Sequence, residues 1–339
     1  MSIEDFSHQL DQALLNRQTL LTRLAQEDTQ AYRIFNGVSE GWAGLTIDRY
    51  GDLLLAQTFR EALNPATRDQ LQAIVLDKIS GPTTFAYNHR GKLANQRFSD
   101  WHDLDAQARG QFEFREFGNR FLTQARHHGI DPWLFLDLRA GRRWVREVAR
   151  DQTVLNLFAY TCSVGITAAA AGAREVWNVD FASSSLAVGR RVAQLNGIAD
   201  ERFVTIEEDC LPVMRQLAGL PTAGRRGQTR SFKKFGAREF DLVILDPPAW
   251  SKGAFGAVDV ENDYPSLFKA AVLATRPGGQ VLCTNHVARV EMTSWLDILQ
   301  RCAAKAGRPL RGLRTLTPDE DFPSFDGNPP LKIAIAGVS

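Results

Sequence analysis

The chain has 339 residues, 44% hydrophobic and 23% charged, with a formal net charge of +1. That is an ordinary globular balance with room for two or three domains, and it argues against a polycation that binds nucleic acid by bulk charge. Four widely spaced cysteines with no CxxC pair, an acidic start and no long apolar run argue against a disulfide framework, a zinc site, a secretory leader and a membrane span, and predict a cytoplasmic protein without metal.

The first 30 residues place Phe6, Leu10, Ala13, Leu14, Leu20, Leu21 and Leu24 at helical spacing, which predicts one or two amphipathic helices. Residues 31–125 read as a small α/β domain. A glycine-rich turn and one strand are expected up to Asp52, then a strand at Leu53–Phe59 and a helix opened by Asn64-Pro65. Thr83–Tyr87 reads as a further strand, and Phe112–Phe117 and Arg120–Leu122 as a hairpin turning at Gly118-Asn119.

Residues 126–339 alternate strand and helix patterns. Phe135-Leu136-Asp137 leads into a helix starting near Ala140, with Trp144, Val145 and Val148 inward and Arg139, Arg142, Arg143, Arg146 and Arg150 on the other side. Val154–Phe158 is a buried-strand pattern, Ala159–Gly165 a loop, and Ile166–Ala171 a helix stopped by Gly172. That order is the first half of a dinucleotide-type fold, although Gly165 is the one glycine in the loop. The next strand ends at Asp180, where an acid can accept both hydroxyls of a ribose. Ser183–Asn196 reads as a helix with serine caps. Phe203–Ile206 is followed by Asp209, and Asp241–Leu245 by Asp246-Pro247-Pro248-Ala249-Trp250. Three strands thus end in carboxylates, at the edge where open α/β sheets bind ligands. Ala249–Asn262 is expected as a loop, Gln280–Thr284 as a strand ending at Asn285-His286, and Leu310–Leu316 with Leu331–Val338 as a closing antiparallel pair.

The series of acids resembles the class I S-adenosylmethionine-dependent methyltransferases. The fold it implies is an α/β, Rossmann-like sheet, mostly parallel with an antiparallel last strand, behind a small α/β N-terminal domain. Ala31-Tyr-Arg, Asn36-Gly, Gly44-Leu and Asp48-Arg-Tyr-Gly-Asp52, with Leu134–Arg143, Leu155–Thr161 and Asp246-Pro-Pro, together resemble the bacterial 23S rRNA large-subunit methyltransferase I and K families. The resemblance implies S-adenosyl-L-methionine as cofactor and 23S rRNA, or a ribosome assembly intermediate, as partner. It sets Asp180 on the ribose, Asp209 facing the adenine, and Asp137, Arg139, Asn156, Phe158, Tyr160, Thr161 and Gly165 around the cofactor. The Arg139 guanidinium could pair with the methionine carboxylate in a fork.

The chain departs from these families in places. Cys162 stands where their loops have glycine, and with about 30 residues before the linker the PUA domain of family I is expected to be missing. Residues 221–239 look inserted. Gly224–Arg238 holds six basic residues, Arg225, Arg226, Arg230, Lys233, Lys234 and Arg238, with two phenylalanines and no acid, a composition suited to phosphate pairing and base stacking.

The expected chemistry follows from the residues around the methyl position. Asp246 and the Pro247 and Pro248 carbonyls can accept hydrogen bonds from a base, and Trp250 can stack on it. Methylating a pyrimidine carbon needs a thiolate that adds to the ring. Family I has a cysteine near the end of the fifth strand; here Thr284-Asn285 is closer to the Ser-Asn-Asn of the guanine-N7 family, which places Asn285 in the site. Purine N-methylation at guanine N7 is therefore expected. Cytosine-C5 methylation through Cys283 or Cys162, and a non-catalytic cofactor-binding RNA assembly factor, stand as alternatives.

Overall fold

In the computed structural model, which describes residues 3–90, 110–125, 131–222, 232–253 and 256–339, the N-terminal apolar spacing becomes two helices, α1 (Ile3–Asn16) and α2 (Gln18–Gln26). They part at Arg17, which is 1% exposed. Its guanidinium donates to the carbonyls of Ala13 and Arg33, both at 2.9 Å, and pairs with Glu40, so the buried charge is compensated.

A four-stranded sheet follows in the order β1 (Ala31–Asn36), β2 (Leu45–Tyr50), β3 (Leu53–Thr58), β4 (Thr84–His89). The segment to Asp52 thus holds two strands where one was expected. β3 and β4 are parallel because a helix, α3 (Pro65–Lys78), crosses between them. Asn64 caps α3, accepting from Thr67 N at 2.9 Å. Phe6, Leu10 and Ala13 of α1 share one core with Ile34, Leu54, Leu71 and Val75, so the N-terminal helices pack onto this sheet. The hairpin of β5 (Gln111–Glu116) and β6 (Asn119–Gln124) turns one residue earlier than expected, at Phe117-Gly118, with φ of 54° and 76°. Two left-handed residues are what a tight two-residue turn requires.

Contacts divide the chain into two compact units, Met1–Asp137 with Asp319–Asn328, and Leu138–Pro318 with Pro329–Ser339. The returning segment is tied by Asp321, which accepts from Arg33 N at 2.9 Å, and by the Pro323 carbonyl, which accepts from Asn36 and Ser39.

The second unit is a seven-stranded sheet. Its parallel part comprises β7 (Thr153–Leu157), β8 (Glu175–Asp180), β9 (Phe203–Glu207), β10 (Phe240–Leu245) and β13 (Thr275–Asn285). β15 (Lys332–Val338) pairs antiparallel with β13, β14 (Leu310–Leu316) closes the edge, and the order is β14-β15-β13-β10-β7-β8-β9. This is the mostly parallel sheet with an antiparallel last strand that the sequence predicts. Its helices are α4 (Arg139–Val148), α5 (Ser163–Ala170), α6 (Ser183–Leu195), α7 (Cys210–Leu217), α8 (Val260–Leu273) and α9 (Met292–Lys305). Leu155, Val243, Leu245 and Val281 of the sheet share a core with Phe268 and Trp295.

Two local expectations are corrected. Residues 249–262 are not a loop: β11 (Trp250–Gly253) and β12 (Gly256–Asp259) form a hairpin, and Asp259 caps α8 directly, accepting from Glu261 N at 3.1 Å. The residue before α6 is Ala182, with no side-chain cap, so Ser183 lies inside the helix. Among the described residues, no helix is long and apolar enough to cross a membrane, and no cluster of His, Cys, Asp or Glu could hold a metal.

Candidate active site at the carboxyl edge of the sheet

The chain leaves β7 through a loop of unusual backbone. Phe158, Tyr160 and Cys162 have φ of 58°, 49° and 63°, three of the six left-handed non-glycine residues described. Each costs roughly 1–3 kcal/mol and persists only where its surroundings impose it. Here the bonds that impose it are visible. Phe158 N donates to Cys210 Sγ at 3.2 Å, Ala159 N to the Val179 carbonyl at 3.0 Å, Tyr160 N to Asp180 Oδ2 at 2.8 Å, and Cys162 N to the Ala159 carbonyl at 2.7 Å.

The left-handed φ at Cys162 explains why glycine suits that position, and a neighbouring glycine explains why cysteine is tolerated. A Cβ on Gly189 of α6 would fall 2.6 Å from Cys162 Sγ, so Gly189 makes the space that the thiol fills. α5 starts at Ser163 rather than Ile166, which puts Gly165 in the helix. A Cβ there would lie 1.9 Å from Asn178 Oδ1, the atom that accepts from Asn156 Nδ2 at 2.9 Å. Packing thus accounts for both Gly165 and Asn156. α5 has no side-chain cap: the Cys162 carbonyl accepts from Ile166 N at 2.8 Å, but its side chain leaves the N–H groups of Ser163, Val164 and Gly165 uncapped.

Asp180 ends β8, 9% exposed, with Oδ2 on Tyr160 N and Oδ1 on Ala182 N at 2.9 Å. Burial pushes its carboxyl above the ordinary value, against the pull of the N–H groups of Ala182, Tyr160 and Phe181. Asp209 caps α7, accepting from Leu211 N at 2.9 Å. Each acid therefore shapes its own turn as well as standing at the sheet edge. Between Asp180 and α6, Phe181 is 53% exposed. This apolar ring is absent from the expected site, although an aromatic directly after a strand-ending acid is its signal in the sequence.

Asp246 ends β10. Thr284 Oγ1 and His286 Nε2, the latter at 2.9 Å, both meet its Oδ1, and among the described residues no donor is assigned to Oδ2. Burial alone would raise its carboxyl. The bonds from His286 and Thr284 and the nearby Arg142 guanidinium outweigh that and hold it below the ordinary value. β10 and β13 are parallel, with Leu245 opposite Cys283, which brings the two strand ends side by side. The turn after β13 is fastened twice, by Asn285 Oδ1 on Val287 N at 2.9 Å and by Lys332 Nζ on the Val287 carbonyl at 3.0 Å. Asn285 is 1% exposed and thus orders the turn, while Thr284 and His286, absent from the expected site, reach Asp246. Pro247 is buried and Pro248 exposed. Trp250 opens β11, and its side chain lies outside the described residues.

The expected basic face of the arginine helix is corrected in part. Arg139 and Arg142 are fully buried with Trp144 and Val145, whereas Arg146 and Arg150 are exposed. Asp137 lies in a short turn, Leu136–Leu138, at the end of the first unit. Thr161 is 4% exposed in the strained loop.

The thiols are poorly placed to attack. Cys162 and Cys283 are fully buried, and burial pushes the first well above an ordinary thiol and the second up to about 12. Cys210 is buried and raised as well, and half-buried Cys302 lies on α9, away from the strand ends. Of the basic insertion, Arg225, Arg226 and Arg230 lie outside the described residues. Lys234 Nζ sits 4.1 Å from the Phe232 ring centre, the Lys233 backbone N bonds Glu208, and Arg238 is held by Glu175 between Trp177 and Phe240.

A strained loop clamped by an acid, an uncapped helix start and an exposed ring beside Asp180 fit a nucleoside with a charged tail. Comparisons agree. Residues 32–335 match the family described as S-adenosylmethionine-dependent methyltransferase. The chain is 31% identical to the ribosomal RNA large subunit methyltransferase K/L of Chromohalobacter salexigens, over 81% of this chain and 35% of that protein. It is 28% identical to the ribosomal RNA large subunit methyltransferase of Deinococcus radiodurans, over 90% and 71%. It thus spans about a third of the K/L relative and most of the Deinococcus one. The fold matches SMU.776, a methyltransferase complexed with SAH, at a TM-score of 0.79 and 21% identity, covering 99% of this chain and 82% of that one. A match along almost its whole length establishes that the chain belongs to the S-adenosylmethionine-dependent methyltransferases.

Proposed function

We propose that the protein methylates a purine nitrogen of 23S ribosomal RNA, guanine N7, with S-adenosyl-L-methionine as methyl donor. The observation that carries this reading is the Asp246 carboxylate, held ionised by Thr284 and His286, in a site whose neighbouring thiols are buried and protonated. The substrate class is supported by the names of the relatives, which are large-subunit rRNA methyltransferases.

When bound, S-adenosyl-L-methionine supplies a methyl group already activated on a sulfonium. The protein's part is then to bind, orient and match charge. Asp180 accepts from the ribose, Phe181 lies against the adenine, and Asp209 faces its edge. The N–H groups at the start of α5, with Arg139, take the methionine carboxylate. Phe158, Tyr160 and Thr161 complete the enclosure. On the substrate side, Asp246 Oδ2 and the Pro247 and Pro248 carbonyls accept from the base, and Trp250 stacks on it.

Guanine N7 presents a lone pair, so no proton needs to be removed before transfer. The base gains positive charge as the methyl group arrives, and a fixed carboxylate favours that charge. Cytosine-C5 methylation needs a thiolate, and the burial of Cys162 and Cys283 counts against it. Residues 31–125 and the 221–239 segment serve to deliver the RNA, with Lys233 and Lys234 facing phosphate. Arg238, engaged by Glu175, contributes to the fold of that segment instead.

The test is methyl transfer from labelled S-adenosyl-L-methionine to large-subunit rRNA that lacks the modification. Transfer to a purine, with no covalent complex on 5-fluorocytosine RNA, is expected. A trapped adduct abolished by Cys283→Ser or Cys162→Ser would overturn the nitrogen reading.

A further inference from the structure

The last strand of the sheet carries a second basic run. From Arg301 to Arg314 the chain has five cations, Arg301, Lys305, Arg308, Arg311 and Arg314, and no acid. The run covers the end of α9 and most of β14, the outermost strand, one side of which has no neighbour in the sheet. Arg308 pairs with Glu239. The other four are exposed, and among the described residues none has a carboxylate partner. Several exposed arginines elsewhere are neutralised, Arg23 by Glu320, Arg115 by Asp28, Arg120 by Glu113 and Arg289 by Glu261, whereas those without a carboxylate partner among the described residues, such as Arg60, Arg190 and Arg202, are scattered along the sequence.

The cations of β14 are also presented rather than trailing in solvent. The Arg311 stem lies over Gly337, where a Cβ would come within 3.1 Å, and its guanidinium donates to the Gly278 carbonyl. Arg314 lies 5.9 Å from the Trp144 ring centre. The two stand about 10 Å apart along the strand. Trp144 belongs to α4.

We infer that the β14 edge, with the end of α9, is a binding surface for the phosphate backbone of RNA, separate from the 221–239 segment. This inference rests on the proposed rRNA substrate. Four cations without a carboxylate partner, two of them held on the edge strand and two at the end of α9, match a polyanion, and each phosphate they neutralise releases counterions. A plain alternative is that arginines on an open strand edge prevent pairing between copies of the chain.

The experiment compares rRNA binding by the full chain and by a variant carrying Arg301→Ser, Lys305→Ser, Arg311→Ser and Arg314→Ser, across a salt titration with a large-subunit rRNA transcript as probe. The variant should bind more weakly, and the slope of log K against log salt should flatten by about 0.7 for each lost contact. Its S-adenosyl-L-methionine affinity and thermal midpoint should match the parent's. Returning Arg311 and Arg314 as lysines should restore part of the slope, since charge count sets it. Substituting the paired Arg23, which lies outside the segments proposed to deliver RNA, with Ser should leave the slope alone. An unchanged slope in the four-residue variant overturns the inference while the rRNA reading stands, and self-association of that variant with unchanged RNA affinity assigns the run to edge protection. If the parent chain does not bind the transcript, the rRNA reading falls and this inference with it.

Discussion

Strand β10 has one aspartate near its amino end and another directly after its carboxyl end, and the two have opposite fates. Asp241, near the amino end, is 5% exposed and engaged on both oxygens. Its Oδ2 accepts from Thr153 N at 2.7 Å and Thr153 Oγ1 at 2.8 Å and lies 3.5 Å from Arg174, while Oδ1 forms an ion pair with Arg276. Asp246, at the carboxyl end, has both of its bonds on one oxygen. The first acid ties β7 to β10 and is finished as a structure. The second is oriented and kept charged, with an acceptor still to use. Residue type and strand are the same, so the difference lies in the edge of the sheet. At the carboxyl edge the loops diverge and leave room for a ligand.

Replacing each acid separates the two roles. Asp246→Ala should lower kcat by about 10²–10³, the scale of losing one fixed electrostatic group at a reacting centre. Single-turnover kinetics on rRNA reads this, and near-normal turnover would mean that the two ends of β10 are equivalent. Asp241→Ala should instead destabilise the fold by roughly 1–3 kcal/mol, through the orphaned Thr153 donors. Chemical denaturation reads that loss, while turnover per folded molecule should hold.

Asp180 sharpens the same contrast, because it combines both roles. Asp180→Asn should weaken S-adenosyl-L-methionine by about 1–3 kcal/mol, measured by calorimetry. Its raised carboxyl gives two pH trends of opposite sign. Cofactor affinity needs the ionised form, so it should fall on acidification, beginning above the ordinary carboxylate range. Stability of the ligand-free fold should move the other way. The folded state holds this proton more tightly than the unfolded chain does, so the group's contribution is greatest at low pH and declines as pH rises through its folded value. An Asp180→Asn variant that keeps the parent's affinity profile would remove Asp180 from the site.

Gly165→Ala would press a methyl group onto Asn178 Oδ1 and should cost about 1–3 kcal/mol in stability, read by thermal or chemical unfolding. If stability holds and cofactor affinity drops, Gly165 faces the ligand after all. The smallest effect is expected from Cys162→Ser and Cys283→Ser, which should each retain most of the methyl transfer. Loss of transfer in a folded variant would restore the thiolate alternative.

The architecture was legible because each parallel strand of the large sheet is a short apolar run ending in a polar turn, and because Asp180, Asp209 and Asp246 recur at the same place in that pattern. Three things were not legible. The hairpin of β11 and β12 is made by a glycine-bearing stretch that lacks alternation, so pattern alone reads as loop. The return of Asp319–Asn328 to the first unit depends on backbone bonds such as that of Arg33 N to Asp321, which leave no periodic trace. In the site, Thr284 and His286 meet Asp246 only because β13 lies beside β10, a pairing of residues 38 and 40 positions apart. The apolar spacing of α4 gave Trp144 and Val145 correctly, while the burial of Arg139 and Arg142 runs against the usual exposure of arginine.

In the function we propose, an ionised Asp246, without a thiolate, serves methylation of a purine nitrogen. The most direct measurement is the identity of the methylated nucleoside. Large-subunit rRNA that lacks the modification is incubated with the protein and isotopically labelled S-adenosyl-L-methionine, digested, and analysed by mass spectrometry. Label in 7-methylguanosine is expected, forming about 10²–10³ times more slowly when Asp246→Ala replaces the parent protein. Label in 5-methylcytidine would contradict it.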